Sequence, residues 1–188
     1  MILALFGHSG RPSRASVRSR SFLVVTLAIP IIVGLGGLLG YRVNLTPSEP
    51  LGVWRIRPLD RPAARGDLVF ICPPQARSME IARQRGYLRA GLCPGGYAPL
   101  IKTIVALPGQ YVQIGHNVTV DGIPVLSSTL SSKDGGGRRL TAFSGGSVPS
   151  GTVFLHSGFR GSFDSRYFGP VPASGILGLA EEVITYAP

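Results

Sequence analysis

The chain has 188 residues, enough for one domain of ordinary size with a real hydrophobic core. It contains 26 glycines and 16 prolines, and its 19 basic and 9 acidic residues give a net charge of +10. Frequent Gly and Pro with few charges favour short strands joined by turns over a helical bundle. A basic chain suits nucleic acid or an anionic membrane surface. Because no helix-turn-helix pattern or aromatic RNA-binding motif occurs, we expect no nucleic-acid partner.

The N-terminal part separates into a basic tail and an apolar run. Residues 1–20 are rich in Arg and Ser and contain no acidic residue, and residues 21–41 contain no charged residue before Arg42. At about 1.5 Å per residue, this run spans a hydrocarbon core of about 30 Å. A cleavable signal peptide is the alternative, but its apolar region is typically shorter, about 7–15 residues. We therefore expect a retained transmembrane anchor over residues 21–41.

Positive charge before the apolar run sets the predicted orientation. Basic residues remain on the cytoplasmic side of a membrane, so residues 1–20 are predicted to be a cytoplasmic tail. Residues 42–188 then form the domain on the outer face, which in a Gram-negative cell is the periplasm. The arginines that carry this argument are Arg11, Arg14, Arg18 and Arg20.

The rest of the chain reads as strands separated by turns. Strand patterns bounded by Gly and Pro occur at residues 52–56, 66–72, 100–107, 111–114, 117–120, 153–156 and 178–186. Residues 76–90 are the one convincing soluble helix, and Asp121-Gly122 is typical of a hairpin turn. Residues 127–150 are rich in Ser and Gly and are expected to form a mobile loop. The predicted fold is mainly β, an antiparallel domain behind an N-terminal transmembrane helix, with one short soluble helix.

The two cysteines, Cys72 and Cys93, match no zinc or redox spacing. Two reduced, buried thiols and one disulfide are the alternatives. A disulfide needs an oxidising compartment, so the predicted periplasmic location favours the pairing. The bond would then close the segment that contains the predicted helix.

A serine nucleophile needs a base within hydrogen-bond reach, and histidine is the usual one. The chain has His8, His116 and His156, but no G-x-S-x-G elbow accompanies them, so nothing local supports a Ser-His-Asp triad.

Lysine is the other candidate base, and it must be neutral to accept a proton. Its pKa of about 10.4 falls when the side chain is buried among apolar residues. Lys102 has apolar neighbours on both sides in residues 99–107, whereas Lys133 lies in a Gly/Ser/Arg loop where it should be solvated. On composition alone, a strand lysine whose ammonium group reaches solvent is the more frequent case.

Three segments together resemble the signal peptidase I family, specifically its TraF branch of conjugative-transfer peptidases. The first is Asn44-x-Thr46-x-Ser48-x-Pro50-x-Gly52-x-Trp54. The second is Gly66-Asp67-Leu-Val followed by Leu100-Ile-Lys102-Thr-Ile-Val-Ala-Leu-Pro-Gly109. The third is Ser162-Phe-Asp164-Ser-Arg166-Tyr-Phe-Gly169-Pro-Val. Their order behind an N-terminal anchor strengthens the resemblance, which covers residues 44–183 and implies a signal-peptidase-like β domain.

The resemblance implies a Ser/Lys dyad. Ser48 would attack the scissile carbonyl, and Lys102 would take the Ser48 proton and return it to the leaving amine. The backbone N–H of Ser48 and the hydroxyl of Thr46 would contribute to an oxyanion hole, whose donors typically matter by roughly 10²–10³ in rate.

The third segment would support the dyad. By the same resemblance, Ser162 would hydrogen-bond and orient the Lys102 amine. Asp164 and Arg166 would form an ion pair behind the site, and from the residues alone Asp164 is structural more often than catalytic. The resemblance implies no cofactor and no metal.

The expected function is a serine endopeptidase that removes a leader from an exported precursor, a pilin-like subunit of a conjugation system. Ser48 follows Tyr41 by seven residues, which predicts a site near the membrane surface. Members of the branch are also associated with pilin cyclisation, in which an amine replaces water at the acyl-enzyme. The oligomeric state is not predicted.

Two alternatives remain at this point. One is a general type I signal peptidase. Glu49 stands where many of those enzymes carry Met, and residues 156–161 replace a common Gly-Asp-Asn, which argues against a housekeeping role. The other is a non-catalytic envelope assembly component.

Overall fold

The structure is a computed structural model that describes Thr26 and residues 28–187. The chain divides into two units, with the boundary between Leu39 and Gly40. Residues 28–38 are helical, residues 39–40 form a turn, and Tyr41 opens the first strand. The predicted tail, residues 1–20, and residues 21–25 and 27 of the predicted anchor lie outside the described residues. Among the residues described, no helix has the length and apolar character needed to cross a membrane.

The second unit is built from twelve short strands and two helices. The strands are β1 (Tyr41–Asn44), β2 (Leu51–Arg57), β3 (Leu68–Ile71), β4 (Ala90–Cys93), β5 (Leu100–Ala106), β6 (Tyr111–Ile114), β7 (Val118–Val120), β8 (Ile123–Pro124), β9 (Gly146–Ser147), β10 (Thr152–His156), β11 (Val171–Pro172) and β12 (Ile176–Tyr186). The helices are α1 (Arg77–Gln84) and α2 (Ser165–Phe168), and a 3₁₀ turn covers Ala173–Gly175.

All of these strands except β4 form two sheets, in which the paired strands run antiparallel. The larger sheet has the order β1-β2-β12-β3-β5-β10-β11, and the smaller has the order β8-β7-β6-β9. The prediction of a mainly β, antiparallel fold is confirmed. At the tip between β7 and β8, Asp121 and Gly122 have φ values of 51° and 79°, as a two-residue hairpin turn requires.

The core follows from which strand positions are apolar. One cluster packs Met79 and Ala82 of α1 against the larger sheet through residues such as Ile104 and Leu155. A second cluster, which contains Val112 and other valines, lies between the smaller sheet and the end of β5. Strand β5 is buried along nearly its whole length, in keeping with its nearly continuous apolar sequence. Lys102, its single charged residue, therefore lies in the interior.

The predicted helix over residues 76–90 is correct at its start and too long at its end. Helix α1 stops at Gln84, and Gly86 adopts a φ of +81°, a conformation that breaks a helix. Residues 90–93 instead form β4, which turns back so that Ala90 and Cys93 pair with Tyr97. The apolar pattern alone did not reveal this hairpin.

Candidate active site

The loop between β1 and β2 is organised by the side chain of Asn44. Its Nδ2 donates to the carbonyl oxygens of Thr46, Glu49 and Pro50 at 3.0, 2.9 and 3.0 Å, and its Oδ1 accepts from the Thr46 backbone N–H at 3.1 Å. Pro47 and Pro50 supply no N–H of their own, so the amide replaces the missing backbone hydrogen bonds. We call residues 45–50 the nucleophile loop. Asn44 opens the first sequence motif, but no role for it was predicted.

Ser48 lies in this loop and is partly exposed to a cleft. Its Oγ is 3.5 Å from Thr46 Oγ1, and the Thr46 hydroxyl donates its proton to Asn44 Oδ1 at 2.7 Å. Because a hydroxyl has one proton, Thr46 can only accept a hydrogen bond from Ser48 in this arrangement. The contribution of Thr46 to an oxyanion hole therefore stays a prediction and requires its hydroxyl to rotate.

Lys102 is buried in β5, where only 3% of the residue is exposed. Its strand neighbour across the sheet is Val69 of β3. Burial lowers the pKa of the amine, and the negative charges of Asp164 and Glu49 act against this in smaller measure. The interior of the sheet therefore favours the neutral amine that a general base requires.

Ser48 and Lys102 line one cleft of about 920 Å³, together with apolar residues that include Phe70 and Leu100. Among the described residues, no hydrogen bond within 3.5 Å joins Ser48 Oγ to Lys102 Nζ. Catalytic hydrogen bonds are often long in free enzymes and shorten when substrate binds. The structure thus brings the predicted dyad to one cleft and leaves its hydrogen bond unmade.

Ser162 lines the same cleft and is buried, but its hydroxyl makes no hydrogen bond. The predicted contact from Ser162 to the Lys102 amine is therefore not formed in this structure. A buried hydroxyl without a hydrogen-bond partner is costly in free energy. The Ser162 hydroxyl is therefore available to hydrogen-bond a bound substrate or a water.

Asp164 and Arg166 form an ion pair with no exposed surface on either side chain. Two hydrogen bonds of 2.8 Å join the guanidinium Nε and Nη2 to the two carboxylate oxygens. Asp164 also caps α2 by accepting from the Arg166 backbone N–H at 3.2 Å. Arg166 Nη1 donates to the Thr129 carbonyl at 2.9 Å, which ties the predicted loop 127–150 to the domain. The predicted ion pair is present.

Two buried residues at the end of β10 were not recognised from the sequence as parts of this site. Ser157 donates a hydrogen bond from its hydroxyl to the Ser48 carbonyl oxygen. His156 is buried, its Nε2 has no hydrogen-bond partner, and burial lowers its pKa. Among the described residues, no hydrogen bond joins His156 to Ser48, so the geometry does not support a triad. Their only sequence signal was the departure of residues 156–161 from the family pattern.

Cys72 and Cys93 are joined by a disulfide, with their Cα atoms 5.5 Å apart. The bond encloses α1 and most of β4, as the disulfide alternative predicted. Both cysteines line the cleft, so the bond also holds one of its walls.

Residues 16–185 match the family model described as signal peptidase, peptidase S26. The chain therefore belongs to the signal peptidase family, peptidase S26, and the predicted resemblance is confirmed.

Several conjugal or plasmid transfer proteins are similar to this chain over most of its length. The chain is 68% identical over 149 residues to a probable conjugal transfer protein TraF of Sinorhizobium fredii, covering 79% of each protein. It is 54% identical over 175 residues to conjugal transfer protein TraF of Agrobacterium fabrum, covering 93% of this chain and 98% of that one. A plasmid transfer protein TraF of Escherichia coli is 37% identical over 161 residues, covering 83% and 89%.

A solved structure, that of a signal peptidase I from Enterococcus faecalis, is 20% identical with a TM-score of 0.40. The match covers 63% of this chain and 97% of that one.

Proposed function

We propose that this chain is a membrane-anchored serine endopeptidase of conjugative transfer that uses Ser48 as nucleophile and Lys102 as general base. The observation that carries the proposal is the burial of Lys102, the one lysine of the chain in an apolar strand, in the same cleft as Ser48. Membership of the signal peptidase family and the names of the relatives support the same activity.

The chemistry proceeds through an acyl-enzyme. Ser48 Oγ attacks the scissile carbonyl carbon while its proton passes to the neutral Lys102 amine, which returns the proton to the leaving amine. A water then attacks the Ser48 ester, with Lys102 again taking the proton, and the carboxylate product leaves. If an amine of the same precursor attacks instead of water, the product is a cyclic peptide.

The substrate is an exported precursor presented at the outer face of the inner membrane. The four arginines and the uncharged run before Arg42 support an anchor whose N-terminus is cytoplasmic. The Cys72–Cys93 disulfide suits an oxidising periplasm.

The relatives are named for conjugal and plasmid transfer, which supports a conjugative pilin as the precursor. The experiment is co-expression of the full chain with a candidate pilin precursor, followed by mass measurement of the pilin. Wild type should remove a segment, and a product lighter by one water identifies cyclisation in place of hydrolysis. Ser48→Ala should leave the precursor intact, whereas the exposed Ser150→Ala should process it normally. Processing that survives Ser48→Ala would refute the proposal.

A further inference from the structure

The Ser157 hydroxyl bridges two parts of the chain that are 109 residues apart in sequence. Ser157 lies directly after β10, is 1% exposed, and donates its single hydroxyl proton to the backbone carbonyl oxygen of Ser48. The Ser157 hydroxyl oxygen in turn accepts the Phe159 backbone N–H at 3.3 Å. The Ser157 hydroxyl therefore accepts one hydrogen bond, from Phe159, and donates one to the nucleophile loop, at Ser48.

The backbone of Ser157 is itself fixed by the buried ion pair. Its N–H donates to Asp164 Oδ2 at 3.1 Å, and its carbonyl accepts from Arg166 Nη2 at 3.5 Å. Both partners are fully buried and charged, and hydrogen bonds to charged groups are the stronger ones in proteins. The position of Ser157 therefore follows the position of the Asp164–Arg166 pair.

Asn44 and Ser157 together bind four backbone carbonyl groups of the nucleophile loop. Asn44 holds the carbonyl groups of Thr46, Glu49 and Pro50, and Ser157 holds the carbonyl of Ser48 between them. Fixing that carbonyl fixes the peptide plane that follows Ser48, and with it the backbone from which the Ser48 hydroxyl projects.

We propose that Ser157 is a positioning residue that transmits the rigidity of the Asp164–Arg166 pair to the Ser48 backbone. The inference rests on the proposed function, since it assigns Ser48 as the nucleophile. Loss of the Ser157 hydroxyl frees the Ser48 carbonyl and lowers the fraction of enzyme in which the nucleophile is aligned. Substrate binding in the cleft stays the same.

The test compares Ser157→Ala with Ser165→Ala in the full chain. Ser165 is also a buried serine, and its hydroxyl accepts the Leu155 N–H at 2.9 Å without contacting the nucleophile loop. With an internally quenched peptide that carries an Ala-x-Ala segment before the scissile bond, Ser157→Ala should lower kcat about 10- to 100-fold with KM unchanged. Ser165→Ala should keep kcat, and Ser157→Thr should restore most of the lost rate.

A second measurement needs no substrate. Hydrogen exchange followed by mass spectrometry should show residues 45–50 exchanging at least about fivefold faster in Ser157→Ala than in wild type or Ser165→Ala. Equal exchange in the two alanine variants, or equal kcat, would overturn the positioning role. If the wild type cleaves neither peptide nor precursor, the proposed function fails, and hydrogen exchange still decides whether Ser157 orders the loop.

Discussion

The guanidinium of Arg166 meets the carboxylate of Asp164 through two hydrogen bonds of 2.8 Å, and neither side chain is exposed. Around this pair the chain gathers the end of β10, the start of α2 and the segment at Thr129. A buried charge is strongly unfavourable when its oppositely charged partner is removed. The pair therefore acts as a structural centre behind the cleft.

Removing one partner of this buried pair should lower the free energy of unfolding far more than removing one partner of an exposed ion pair. Asp164→Ala leaves the Arg166 guanidinium buried and uncompensated, a change that costs on the order of 3–5 kcal/mol in unfolding free energy. Urea unfolding measures this loss. Arg61→Ala is the matched control, because Arg61 is paired with Asp67 at 2.7 Å at the surface, and it should change the midpoint far less. Equal losses in both variants would contradict the central role of the buried pair.

Glu49 should shift the acidic limit of activity, because its charge acts on the pKa of Lys102. Burial raises the pKa of its own carboxyl group, while its charge raises the pKa of Lys102 against the lowering by burial and Arg166. Glu49→Gln removes that charge, so the pKa of Lys102 falls further and the amine stays neutral to lower pH. The acidic limb of the kcat profile should move to lower pH.

The exposed Glu80→Gln, on α1, is the control for the loss of one carboxylate and should leave the profile in place. An acidic limb that stays in place or moves to higher pH in Glu49→Gln would contradict the predicted effect of the Glu49 charge on Lys102.

Lys102 should lower the free energy of unfolding at neutral pH, although the proposed activity depends on it. Its folded pKa is lowered from 10.5, so below that pH the unfolded chain takes up a proton that the folded chain resists. Stability is therefore lost as pH falls from about 10.5 towards the folded pKa. Lys102→Met removes this penalty and should raise the thermal midpoint at pH 7 by a few degrees, about 2–4 °C per kcal/mol, while abolishing cleavage.

The gain from Lys102→Met should shrink as the pH rises towards and above 10.5, because the unfolded chain then also loses the proton of this lysine. Differential scanning calorimetry at pH 7 and 10 separates this effect from a simple gain in packing. A variant that is less stable than wild type at pH 7 would contradict a burial penalty at Lys102.

Local sequence patterns predicted β2, β3, β5, β6, β7, β10 and β12 but not the other strands, and the motifs shared with the family supplied the candidate site residues. The apolar surroundings made Lys102 a candidate for burial, and the family resemblance was needed to prefer burial over an exposed strand lysine. The turn at Asp121 and Gly122 was readable from two residues. The bond from Ser157 to Ser48 joins residues 109 apart, and no local pattern encodes such a contact. The end of α1 was missed because Gly86 and the β4 hairpin override a helical pattern.

The central claim is that Lys102 acts as the base for Ser48, and the two lysines of the chain provide the most direct test. The measurement is the single-turnover cleavage rate of a precursor by the full chain carrying Lys102→Arg or Lys133→Arg. An arginine cannot lose its proton in a protein, so Lys102→Arg should reduce the rate by on the order of 10³-fold or more. Lys133 is exposed, and Lys133→Arg should cleave at the wild-type rate. A Lys102→Arg rate within about tenfold of wild type would contradict a lysine base at this position.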